Sequence, residues 1–371
     1  MKTLSYEEYQ EKVANLKNTD DLTAFIKDLV APAVTKIDEP RPEIIPAPTI
    51  GRRRINMATR EVVNAKRYDS AENDLEQNVI ALYAKGLTTR DIANYLKEHH
   101  QVEISQSSIS GITDKVYPLI KEWQARPLSS VYPFIYLDGL HFKVRESGKI
   151  MSKCAYIVLG VNNQGYKEVL GIWVGDTESA KFWMHVLNEL KNRGVEEILI
   201  ACIDGLRGFS EAINAIYPEA QIQQCIVHQI RHTIKFLPHK DRDLFCIDLK
   251  TIYSAPTEEA GRTALDQVKA KWPRYQIYLR SWEEKWNELS SFFDYPEPIR
   301  KSIYTTNAIE SLNHQFRKVT KTTTVFPHAE SLEKLLWLAQ DDIARRWLHP
   351  VRNWGEIVSQ LAVLFPEKIE F

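Results

Sequence analysis

Three acids in this sequence stand where metal-assisted chemistry could use them. Asp138 closes the apolar run VYPFIYLD, Asp204 closes ILIACID, and each is followed at once by Gly. If the two runs are neighbouring parallel strands, both carboxylates emerge at one sheet edge, where α/β sites form. The plainer reading of either acid alone is a turn former, as Asp-Gly pairs commonly are. Glu310 lies in YTTNAIESLNHQFRKVTKTT, where Thr306 is placed to cap a helix and Ile309, Leu312 and Phe316 make its buried side. Asn307, Glu310, His314 and Arg317 then form one polar stripe. A lone Glu on such a stripe is ordinarily a solvated side chain. Here Arg317, Lys318 and Lys321 put a basic rim around it, which suits carboxylates that meet a polyanionic backbone.

Phosphodiester transfer by two metal ions asks for this set, because its carboxylates must hold cations about 4 Å apart, one at the attacking and one at the leaving oxygen. Three converging acids repel one another unless cations sit between them. Mg²⁺ is the expected ion for hard oxygen ligands, with Mn²⁺ as a substitute. In QQCIVHQIRH, Cys225 and His228 are spaced like half of a zinc site, but no second Cys/His pair matches them. They read equally as core packing with a hydrogen bond or as a pair that sets His228 beside the carboxylates.

The elements that must position these residues can be read from the patterning. An acidic helical piece and a linker with four prolines occupy residues 1–50, and a basic patch follows at 51–70, with six Lys/Arg including Arg52, Arg53 and Arg54. That patch is either a solvated arm or a phosphate-contacting one. From 73 to 124 the period is helical. Leu75, Val79, Leu82 and Tyr83 share a face, Gly86 ends that helix, and Thr88 with Asp91 caps the next. A short turn leads to SQSSISGITDKV, whose polar leading end carries Gln106, Ser107 and Ser108. Helix, turn and short second helix is the plan of a helix-turn-helix DNA reader, and equally of a plain three-helix packing unit. Residues 51–124 are therefore a candidate DNA-binding region.

At Val131 the composition changes to strands. VYPFIYLDGL, then KCAYIVLGVN and YKEVLGIWVG around a turn at Asn162–Gly165, are followed by a helix from Thr177. Next come the strand 196–205, a helix near 208–216 and a strand at 221–226. That order predicts an α/β layer with a hairpin on one side and βα crossovers on the other, over 131–236. Residues 237–300, with Trp272, Trp282, Trp286, Phe292 and Phe293 at helical spacing, read as a helical insertion, and 301–371 return the Glu310 helix to the core.

Composition excludes several classes without choosing a chemistry. The chain has 371 residues, 44% apolar and 26% charged, as in an ordinary globular protein. Its longest clear apolar run, ILIACI, is far below the about 20 residues of a membrane span. MKTLSYEEYQ lacks a signal peptide's apolar stretch, and four widely spaced Cys suggest a reduced, cytosolic protein. With 48 basic and 49 acidic residues, any nucleic-acid surface has to be local.

Several long blocks in order resemble the Mutator-type, bacterial insertion-sequence transposases with an Asp-Asp-Glu triad, from about residue 74 to 371. The blocks are VYPFIYLDGLHFKV, GYKEVLGIWVGDTESAKFW, ELKNRGVEEILIACIDGLRGFSEAI, IQQCIVHQIRHTIKF and YTTNAIESLNHQFRKVTKTTTVFP. The resemblance implies a ribonuclease H-like mixed-sheet core interrupted by a helical insertion. It makes Asp138, Asp204 and Glu310 the metal-binding catalytic triad and marks Cys225 and His228 as the family's Cys-x-x-His signature, an active-site neighbour like Arg317. It implies cleavage at the ends of a mobile element, transfer of the 3′ ends to target DNA, a homodimer on DNA and a cytoplasmic, nucleoid-associated enzyme. Ahead of residue 74 the family's Pro-Arg-rich, strand-forming stretch is absent or degenerate, replaced by the 51–70 patch. Two other classes stay open: a transposase-derived DNA-binding protein without catalysis, and a metal nuclease without strand transfer. A carboxylate-pair glycosidase fits the acids but neither the basic rim nor the helix-turn-helix.

Overall fold

The computed structural model describes residues 54–55, 62–63, 71–304 and 307–369. The expected N-terminal helical piece, the proline linker, Arg52, Arg53 and Thr306 lie outside them. Two short strands, β1 (Arg54–Ile55) and β2 (Val62–Val63), form a small sheet of their own. The patch read as replacing a strand-forming stretch thus contains strands itself. Residues 71–304 and 307–369 belong to one compact unit.

That unit is a mixed α/β layer around five strands, in the order β5-β4-β3-β6-β7. β3 (Val131–Glu146), β4 (Lys149–Val161) and β5 (Lys167–Gly175) run antiparallel as a meander. β6 (Glu197–Ile203) pairs parallel with β3, and β7 (Gln221–Gln224) pairs parallel with β6. The central strands are buried on both faces, which explains their near-continuous apolar runs. The β3–β4 connection turns on Ser147 and Gly148, both at positive φ, as a two-residue hairpin requires. β3 does not stop at Asp138. It continues to Glu146 through HFKVRE, whose mostly exposed side chains hid the strand from a reading based on apolar runs.

Side chains alternate across the sheet. Ile135 and Leu137 face α5 (Ala180–Asn192) and α6 (Phe209–Ile216), where Trp183, Leu187 and Phe209 are fully buried. Phe134, Tyr136 and Leu140 face the other core, built with the remaining helices. Ser179 rather than Thr177 caps α5, its hydroxyl accepting from the Phe182 N–H at 3.3 Å.

Ahead of the sheet come α1 (Ala71–Ala84), α2 (Thr89–His100), α3 (Gln106–Asp114) and α4 (Tyr117–Ala125). Thr88 and Asp91 form the expected capping box. After β7, α7 (Ile226–Ile234) leads into helical chain: α8 (His239–Tyr253), α9 (Glu258–Lys271), α10 (Gln276–Glu284), α11 (Trp286–Ser290) and α12 (Glu297–Tyr304). α10 is tied to α7 by Trp282 Nε1–H donating to Thr233 Oγ1 at 2.8 Å, and by Gln229 donating to Ser281 Oγ at 2.7 Å. The chain closes with α13 (Asn307–Thr320), α14 (Ala329–Ala344) and α15 (Trp354–Leu364). Beyond α13, Phe326 exchanges backbone hydrogen bonds with Lys143 and Arg145 of β3, which fixes that helix against the sheet. Among the described residues, no helix is long and apolar enough to cross a membrane.

Candidate active site

The parallel register sets the first two acids level. Tyr136 pairs with Cys202, the last couple of the β3–β6 ladder, so Asp138 and Asp204 each stand two residues beyond it. Both therefore stand just past the end of the β3–β6 ladder, at the same edge, Asp138 still within β3 and Asp204 beyond the end of β6. Asp138 is buried, with Oδ1 accepting the Gly139 N–H at 2.9 Å and Oδ2 accepting from Asn313 Nδ2. Burial, then the charge of Asp204, raise its pKa to about 7, against the Gly139 hydrogen bond and Arg317. Burial likewise raises that of Asp204, opposed by His228, the Leu206 N–H and Lys285. Lys285 reaches the Asp204 loop from the helical segment, donating to the Gly205 carbonyl at 3.1 Å.

Glu310 approaches from α13. It lines a cavity of about 440 Å³ together with Asp138, Arg231, Asn313, His314 and Arg317. Glu310, His314 and Arg317 of the polar stripe read from the sequence thus line that cavity, with Lys318 and Lys321 exposed on the same helix and just beyond it. Its buried side is also as expected, with Ile309, Leu312 and Phe316 in the core.

Helix α7 serves two of the acids from one face. Cys225 caps it, Sγ accepting the His228 N–H at 3.3 Å. His228 Nε2 lies 4.0 Å from Asp138 Oδ2, and one turn on, Arg231 Nη1 lies 2.9 Å from Glu310 Oε1. Burial disfavours the His228 imidazolium, but the Cys225 contact and the charge of Asp204 outweigh it and raise the pKa.

Asp138 feels the charges of both Asp204 and Glu310, yet the three acids are not drawn into one tight knot. Among the described residues, the groups whose ligand atoms all lie within 4.8 Å of each other are Cys225–His228–Glu310 and His141–Cys154–Glu178. Bare carboxylates repel, and Arg231 takes up Glu310 instead. The surroundings fit hard divalent cations nevertheless. Asp138 and Asp204 offer oxygens that burial makes reluctant to ionise, Asp138 also through the charge of Asp204. Asn313, 1% exposed, holds Asp138 with its amide nitrogen while its Oδ1 is buried with no hydrogen-bond partner. A buried acceptor left open beside acids invites a donor or a cation.

The chain belongs to the Mutator family of transposases. The family's model, Transposase, Mutator family, matches residues 53–350, so the match takes in most of the basic patch that the blocks from residue 74 onward left out. Among its relatives, the transposase for insertion sequence element ISRM3 of Rhizobium meliloti (strain 1021) is 41% identical over 304 residues, covering 81% of this chain and 76% of that one. A probable insertion-sequence transposase of Corynebacterium diphtheriae is 36% identical over 316 residues, covering 80% of this chain and 92% of the relative. The Drosophila P element transposase strand transfer complex aligns over 87% of each chain at a TM-score of 0.33 and 10% identity, a likeness too slight to bear on the fold.

Gln106, Ser107 and Ser108 are exposed at the leading end of α3, where the Ser105 hydroxyl contacts those of Ser107 and Ser108 at 2.8 Å. Arg54 lies in β1. Sequence reasoning missed Arg231, Asn313 and Glu178, because each matters through a partner far away in the chain.

Proposed function

We propose that this transposase cuts DNA at the ends of a mobile element and joins the freed 3′ ends to target DNA, with Asp138, Asp204 and Glu310 as its metal-holding triad. The observation that carries the reading is the level placement of Asp138 and Asp204 on parallel neighbours, with Asp138 and Glu310 lining one cavity together with Arg317. The strand order, a three-stranded meander extended by two parallel strands, supports a ribonuclease H-like core, with α8 to α12 as the insertion ahead of Glu310.

Bound there, Mg²⁺ or Mn²⁺ would activate the attacking oxygen and stabilise the leaving one. The protein's own groups do the rest. Asn313 fixes Asp138, Arg231 releases Glu310 and becomes available to phosphate, and His314, Arg317, Lys318 and Lys321 hold the nucleic-acid backbone by charge. Helix α3 and the 51–70 patch, through Arg52, Arg53 and Arg54, would read the element ends. A homodimer would match the paired ends, in the bacterial cytoplasm on the nucleoid.

The test uses purified full-length protein and the DNA flanking its own gene, with Mg²⁺ or Mn²⁺, comparing wild type with Asp138→Asn and Glu310→Gln. Cleavage at repeat ends and joined 3′ products, both abolished by either substitution, are expected. Binding without cleavage in every protein would overturn the catalytic reading, and cleavage without joining would reduce it to a nuclease.

A further inference from the structure

A fourth carboxylate lies near enough to Asp204 and Asp138 to feel their charges. Glu178 lies between β5 and α5, and the residues on either side of it are clamped by one hydroxyl. Tyr156 donates to the Thr177 carbonyl at 2.5 Å and accepts the Ser179 N–H at 3.1 Å. The Tyr156 ring is itself wedged between Phe182, stacked at 4.1 Å, and Trp183, edge-on at 4.9 Å. Trp183 Nε1–H donates to Glu178 Oε1 at 3.3 Å. The carboxylate is therefore aimed by a rigid surround.

What it is aimed at is the residue next to Asp138. A Cβ placed on Gly139 would come within 2.6 Å of Glu178 Oε1 and 2.9 Å of Cys154 Sγ. Asp138 turns to the α13 face and position 139 to the α5 face. The missing side chain is thus the gap through which Glu178 approaches the end of the β3–β6 ladder. Glu178, Cys154 and His141 also bring ligand atoms within 4.8 Å of one another. The Cys154 thiol is fully buried and pushed up by that burial, so the carboxylate, not a thiolate, is the available charged ligand.

Resting on the triad reading above, we propose that Glu178 is a further ligand of the site's divalent cations, on its Asp138–Asp204 side, admitted by the absent side chain of Gly139. A purely structural partner for the Trp183 indole could be a neutral amide. A carboxylate set beside two other acids instead costs stability until a cation arrives. In keeping with this, burial and then Asp204 raise its pKa to about 7, with a smaller push from Asp138.

The experiment measures Mn²⁺ and Mg²⁺ binding to the full-length protein by calorimetry and by the rise in melting temperature, without DNA or turnover. Wild type, Glu178→Gln, Gly139→Ala and Asp138→Asn are compared. Glu178→Gln is expected to melt at or above wild type without metal at pH 8. It should weaken Mn²⁺ binding by about tenfold or more and lose most of the metal-induced rise. Gly139→Ala, which keeps the acid but pushes it aside, should weaken binding in the same direction and stands in if the Gln variant folds poorly. Unchanged Mn²⁺ binding in both, with loss in Asp138→Asn, would overturn the role of Glu178 and leave the triad. Unchanged binding in all three would overturn both.

Discussion

Asn313, one turn beyond Glu310 on α13, donates from Nδ2 to Oδ2 of Asp138, which lies 175 residues earlier in the sequence. This contact joins the helix that carries one acid to the strand that carries another. Asn313→Ala should free Asp138 to rotate, lowering cleavage by about tenfold to a hundredfold. The cost in stability should be about 1–3 kcal/mol, because a buried partner is lost. Asn313→Asp should lower cleavage further, since it sets a second charge against Asp138. Rates on element-end DNA and urea midpoints check both; wild-type cleavage in the Ala variant would exclude a positioning role.

The pH dependence of the metal-free protein follows from Asp138. Its pKa is raised from an ordinary 3.8 to about 7, burial being the largest cause. The folded state therefore holds a proton that the unfolded state releases between these values. The stabilisation is full below about pH 4 and lost as pH rises through about 7. Metal-free wild type should accordingly melt lower at pH 8 than Asp138→Asn, by about 5 °C or more, while at pH 4.5 the two should nearly coincide. Mg²⁺ should raise the wild-type melting temperature at pH 8 and leave the variant almost unmoved. Parallel pH curves for the two proteins would show that Asp138 is not the strained acid.

How much of this was legible beforehand depends on the range of each interaction. Asp138 and Asp204 could be found because buried strands announce themselves as apolar runs, and the residue ending each run is visible. The capping box of Thr88 and Asp91 and the stripe from Glu310 to Arg317 were legible for the same reason, being set by neighbours three or four residues away. Beyond Leu140, β3 was not legible, because most of its side chains there face solvent. The choice of Ser179 over Thr177 as the cap was equally hidden, since Tyr156 from another strand decides it. Arg231 carries no local signal beyond that of a cation near a helix end. Its meaning comes from Glu310, and no spacing rule connects α7 to α13.

Arg231 pairs with Glu310 at 2.9 Å while half exposed to solvent. It competes with any cation for that carboxylate and can turn to a phosphate once released. Arg231→Gln should leave Mn²⁺ affinity unchanged or higher while weakening DNA binding. The slope of log affinity against log salt should fall by about 1, as for one lost phosphate contact. Fluorescence anisotropy over a salt series, with calorimetry for the metal, separates the two effects. An unchanged salt slope would leave Arg231 with no part in holding DNA.

Lys334 of α14 ties the helical region ahead of the sheet to the core that holds Glu310. It is 2% exposed, with Nζ 2.5 Å from Asp114 Oδ1, 3.1 Å from Thr113 Oγ1, and 5.8 and 5.6 Å from the ring centres of Tyr83 and Tyr117. Asp114 and Thr113 end α3, the helix whose other end exposes Gln106. Lys334→Ala should cost about 2–5 kcal/mol, since it leaves a void where a fully buried side chain stood. Lys334→Met fills the same volume, and Asp114 is half exposed and can take water instead, so its loss should be clearly smaller. If docking of α3 matters for reading DNA, the Ala variant should also bind element ends more weakly than the Met variant at a temperature where both are folded. Urea unfolding followed by anisotropy at low temperature decides this. Equal DNA affinity in a folded Ala variant would mean that the Lys334 anchor has no part in DNA binding.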